Sequence, residues 1–183
     1  TAVAGEQLRS ILRQSTRDSK VIFGAHRGVF ALQRVDIENF FHLVTQRVAE
    51  QNGEGTEFCE VGVYYNDGTS RRFPSIESFN QYTETNKRHP TVVTLHIVFL
   101  ISFPESQEPE KQEIDILIRA SESTAETVEM VMSDSRLRMS GDKIQMAVDK
   151  DTSDFGVITY TINHSRVTWG LDLESHIRGH IER

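Results

Sequence analysis

From Phe58 to Tyr65 the chain alternates. Cys59, Val61, Val63 and Tyr65 fall on one side and Glu60 and Gly62 on the other, the period of a half-buried strand. Asp67-Gly68 follows as a tight hairpin turn, and "SRRF" is its short return strand. Upstream the period changes. Asp36 reads as an N-cap, Ile37, Phe40, Phe41, Val44 and Val48 recur at helical spacing, and Gly53 lies past the end. Ser75 caps a short helix that faces inward through Ile76, Phe79 and Tyr82.

The longest apolar run, "VVTLHIVFLISF" at 92–103, is nearly continuous and rich in β-branched residues. It predicts an interior strand covered on both faces and bonded on both edges. A polar loop at 104–113 holds Pro104, Pro109, Glu105, Glu108 and Glu110. Beyond it Ile114, Ile116 and Ile118 alternate with Glu113 and Asp115, a half-buried strand.

Leu8, Ile11 and Leu12 suggest a first helix, and "KVIFGAHRGVFAL" reads as two runs about a turn at Ala25-His26-Arg27-Gly28. "SESTAETVEMVMS" carries both helix and strand signals, with strand favoured for its second half. "RLRM" and "KIQMAV" form a hairpin about Ser140-Gly141-Asp142. "GVITYTIN" is a strand, and Thr168 caps a final helix packed through Trp169, Leu173 and Ile177. The sum is roughly nine strands and about four helices. This is an α+β fold, mainly antiparallel sheet of short strands and hairpins with the helices packed on it. Residues 1–183 suit a single compact domain, with two lobes divided near the acidic loop 104–113 as the other reading.

Composition narrows the function. At 37% hydrophobic and 26% charged, with both signs mixed, the chain can bury a core. A formal net charge of −7 disfavours binding to phosphate backbones, so no nucleic acid is expected. Cys59 is the only cysteine, which excludes an internal disulfide and fits a reducing compartment. The 92–103 run is too short to span a bilayer as a helix, so the expected setting is cytoplasmic, with any membrane anchor outside 1–183.

Candidate chemistry is sparse. His176 and His180 stand at i, i+4 in the final helix, a spacing that can chelate zinc, but Arg178 and Gly179 lie between them where a metalloprotease helix has its glutamate. The expectation is no metal, with His176 and His180 as the alternative ligand pair and structural neighbours of the helix seam otherwise. His26 and Arg27 in "GAHRG" are an anion-binding candidate. Glu105, Glu108 and Glu110 are candidates for docking a basic partner. "DKDTSD" at 149–154 opens like a calcium loop and then departs from the pattern. Arg71, Arg72, Lys87 and Arg88 form a basic patch if their loops adjoin.

These readings favour a non-catalytic interaction or ligand-sensing module of a larger intracellular protein. It needs no cofactor, and its partner is another protein or the remainder of its own chain. The alternative is a hydrolase, metal-dependent or not, whose dispersed site draws on His26, His164, His176 and His180 with Asp or Glu.

Overall fold

The computed structural model describes residues 20–29, 33–51, 53–121 and 155–182, with the backbone alone described at 53–56. Its elements run β1 (Lys20–Gly28), α1 (Arg34–Glu50), β2 (Gly53–Tyr65), β3 (Ser70–Phe73), α2 (Ile76–Gln81), β4 (Pro90–Ile101), β5 (Glu110–Arg119), β6 (Gly156–His164) and α3 (Val167–Ile181). The strands form one antiparallel sheet in the order β1-β6-β5-β4-β2-β3. This is α+β, with six strands and three helices among the described residues. The first expected helix, the strands near 122–150 and "DKDTSD" lie outside them.

The helices pack on one face of the sheet. Alternate residues of the strands supply that core: Val61 and Val63 from β2, Leu95, Ile97 and Phe99 from β4, Ile114 and Ile116 from β5, and Ile162 from β6. α1 answers with Ile37, Phe40, Val44 and Val48, and α3 with Trp169, Leu173 and Ile177. Phe41, expected in this row, is only partly buried; it falls one residue round the helix from Phe40, at the margin of the stripe.

β4 is the interior strand its composition predicts, bonded to β2 on one edge and β5 on the other. The acidic loop joins β4 to β5 as a hairpin between neighbouring strands, from Ile101↔Glu110 to Val92↔Arg119. β5 departs from the half-buried expectation. Glu113 and Asp115 are each 8% exposed, because polar partners on the neighbouring strand and on their own take the place of water.

Three local expectations are corrected. Lys20–Gly28 is one continuous strand paired with β6 throughout, so there is no turn at Ala25–Gly28. Gly24 mimicked a turn signal, but it clears space: a Cβ there would lie 2.1 Å from Cζ of Tyr160, whose ring crosses β1. α1 starts earlier than expected, at Arg34 after Gln33, and Asp36 is its third residue, accepting from the Gln33 N–H at 2.9 Å. α3 starts at Val167 after Arg166, with no side-chain cap from Thr168. The Asp67-Gly68 turn and the Ser75 cap are as expected, with Gly68 at φ 77° and Ser75 Oγ accepting from Ser78 N at 3.1 Å.

Candidate functional site

Two places in the described residues concentrate chemistry, one on each face of the sheet. The first is a cavity of about 150 Å³ on the helix-covered face, where the start of α1 and the short α2 meet β2, β3 and β4. Its floor is Ile37, Val63 and Val93; Tyr65, Phe73, Phe79 and Tyr82 form its walls, and Gln33, Arg34 and Glu84 its rim.

The walls are fixed from outside. Arg88 stacks on Tyr65 with its guanidinium 4.0 Å from the ring centre, and Arg71 stacks on Tyr82 at 4.4 Å. Glu84 accepts from the Tyr82 hydroxyl at 2.9 Å, from Arg88 Nε at 2.8 Å and from the Asn86 N–H at 2.9 Å. Arg34 donates to the carbonyls of Asn80 and Tyr82 at 2.8 and 2.6 Å, tying α1 to the open end of α2. The cavity is therefore an apolar space with a polar, hydrogen-bonded mouth.

Two ionisable groups here, Glu84 and Tyr65, are each held in one protonation state. Burial pulls the Glu84 carboxyl upward, but the hydrogen bonds from Asn86, Arg88, Tyr82 and Tyr65 outweigh it and hold it down to about 2. Burial, with the Glu84 carboxylate beside it, pushes the Tyr65 phenol up to about 12. Neither can exchange a proton readily near neutral pH.

The second place is the opposite face of the sheet, where register builds a row across three strands. His96 on β4 stands opposite Asp115 on β5, which stands opposite Thr161 on β6. His96 Nδ1 is 2.6 Å from Asp115 Oδ1, and His96 Nε2 is 3.6 Å from Glu113 Oε1. Lys111 Nζ holds the other Glu113 oxygen at 3.0 Å. Glu60, opposite His96 on β2, is bonded to Arg72. One ligand atom from each of His96, Glu113 and Asp115 lies within 4.8 Å of the others, so these are the described residues that can hold a metal ion.

The sequence candidates are placed elsewhere. His26 and Arg27 point to opposite faces of β1, without a turn to gather backbone amides around them. Nε2 of His176 meets the Arg47 guanidinium, and its Nδ1–H donates to the Asp172 carbonyl at 2.8 Å. His180 sits edge-on against Phe40, with ring centres 5.0 Å apart. Both histidines thus line the seam between α3 and α1. His164 is buried beside Gly170, and burial holds its imidazole below the usual range. His26, His164 and the His176/His180 pair occupy three separate places.

In the acidic loop, Glu110 is bonded to Ser106 and Arg166, while Glu105 and Glu108 remain exposed. Of the basic residues, Arg71 and Arg88 flank the cavity and Arg72 faces the other side of the sheet.

His96, Glu113 and Asp115 were not legible as a site from sequence. The available signal was a lone histidine inside an apolar run, followed by alternating acids after a hairpin loop. Folding the chain about the middle of that loop brings His96 opposite Asp115. No protein-family model matches the chain, and no curated protein or solved structure matches it. No helix among the described residues is long and apolar enough to cross a membrane.

Proposed function

We propose that this protein is a non-catalytic ligand-sensing module that receives a small aromatic or branched apolar group between α1, α2 and the sheet. The observation that carries the reading is the apolar cavity with its pre-fixed aromatic walls. A space of about 150 Å³ accommodates a molecule of roughly benzene's size. Walls held by stacking and hydrogen bonds before the ligand arrives spare it the entropy of ordering them. A polar substituent on the ligand would meet Gln33 or Glu84 at the rim.

Support for sensing over catalysis comes from the mouth. Glu84 is held ionised and Tyr65 held protonated, so neither of these two groups is poised as a general acid or base near neutral pH. The partner that fits this reading is another protein, or more of the same chain, that reads the occupied state. Exposed Glu105 and Glu108 would favour a basic segment on it.

The test is methyl-detected NMR during addition of phenol. The expected result is saturable shifts concentrated at Ile37, Val63 and Val93. Shifts spread evenly over the surface, or none up to the solubility limit of phenol, would refute the reading.

A further inference from the structure

The mouth of the cavity offers a ligand donors rather than acceptors. Glu84 is the carboxylate at its rim, and an ionised carboxylate has about four lone-pair sites. Donors from the protein already meet it: the Tyr82 hydroxyl at 2.9 Å, Arg88 Nε at 2.8 Å, the Asn86 N–H at 2.9 Å and the Tyr65 hydroxyl. Little capacity remains there for a charged donor on a ligand.

Arg34, also at the rim, is the opposite case. A guanidinium is permanently charged and carries five N–H groups. Nη1 of Arg34 donates to the Asn80 carbonyl at 2.8 Å and Nη2 to the Tyr82 carbonyl at 2.6 Å, so both acceptors are neutral and N–H groups are left over. Its centre lies 5.4 Å from the centre of the Phe79 ring, one of the cavity walls. Among the described residues Arg34 is not paired with a carboxylate, and neither is Arg71, which stacks on Tyr82 at 4.4 Å. Asp36, in the first turn of α1, is bonded to the Gln33 N–H at 2.9 Å. The spare donors at the rim thus belong to a cation, and a cation's N–H binds an anionic oxygen more strongly than a neutral one.

We propose that the ligand of this cavity is a small aromatic carboxylate, with its ring in the apolar space and its carboxylate on the N–H groups that Arg34 has left. The proposal rests on the reading of the cavity as a ligand site and adds the charge of the ligand to it. A carboxylate adds little bulk to a ring that a space of about 150 Å³ already holds. Arg34 is exposed, so water screens the pair and the preference for an anion is modest.

The experiment compares benzoate, benzamide and benzylamine, which share a ring and differ in charge, by calorimetric titration with methyl-detected NMR to locate each. Benzoate should bind about 3–10-fold more tightly than benzamide, and benzylamine least tightly. All shifts should centre on Ile37, Val63 and Val93, and added salt should narrow the gap between benzoate and benzamide. R34Q should remove that gap, whereas R27Q, on β1, should keep it. The ratio of the two affinities within one protein is the readout, so a general loosening of the R34Q cavity does not imitate the result. If R34Q does not fold, the wild-type ratio and its salt dependence decide. Equal binding of benzoate and benzamide, tighter binding of benzylamine, or a gap that persists in folded R34Q would overturn the proposal while leaving the cavity a ligand site. Failure of all three compounds and of phenol to bind would remove the cavity reading itself.

Discussion

Gly170 lies flat against the imidazole of His164. A Cβ at that position would sit 2.5 Å from Cδ2 and 2.6 Å from Cγ of the ring, which is itself only 2% exposed and has little room to retreat. The glycine lets the second turn of α3 close onto the end of β6. Gly170→Ala should therefore destabilise the protein by about 1–3 kcal/mol through overpacking. This is despite the roughly 1 kcal/mol that alanine gains over glycine in a helix interior. Gly179, in the same helix, has no atom within 4 Å of the added Cβ. Gly179→Ala should stabilise by about 0.5–1 kcal/mol. Urea denaturation of the two variants checks the pair; shifts of the same sign would show that α3 is wrongly seated.

Phe40 and Phe41 are neighbours with different fates. Phe40 is 2% exposed beneath α3, while Phe41 only flanks the core. Phe40→Ala should cost about 3–5 kcal/mol. Phe41→Ala should cost distinctly less, and equal losses in a denaturant melt would place the helix face incorrectly.

Glu84 should leave an acid signature. Its folded carboxyl titrates at about 2, below its usual 4.5, so the folded state binds that proton less readily than the unfolded chain. Its contribution to stability is complete above pH 4.5 and is lost as pH falls towards about 2. Urea midpoints of wild type and Glu84→Gln should differ near neutral pH and converge over that window. A constant difference down to about pH 2 would mean that the network around Glu84 is not formed.

Much of the fold was legible because burial writes itself as a period. The alternation of β2, the stripe of α1 and the continuous run of β4 each reports which side meets the core. The errors came where one residue type serves two purposes. Gly24 looks like a turn, yet its role is to pass under Tyr160. Asp36 looks like a cap, yet it bonds back to Gln33 from the third helical position. Glu113 and Asp115 look solvated, yet they are buried against Lys111 and His96.

Neither candidate site could be read from composition. The His96 cluster exists only through the register of β4, β5 and β6, which no single segment encodes. The cavity is assembled from α1, α2, three strands and a loop, so its aromatic residues read as ordinary core in the sequence. Histidines 176 and 180 did stand out by spacing, because i, i+4 is a local relationship and needs no tertiary information.

The most direct measurement of the central claim is a calorimetric titration of phenol into wild type and Val93→Phe. Val93 is 3% exposed at the floor of the cavity, so the larger ring should grow into the empty space and leave the fold intact. Saturable binding to wild type that vanishes in a fully folded Val93→Phe protein is the predicted result. Equal binding to both proteins, or none to wild type, would contradict the account.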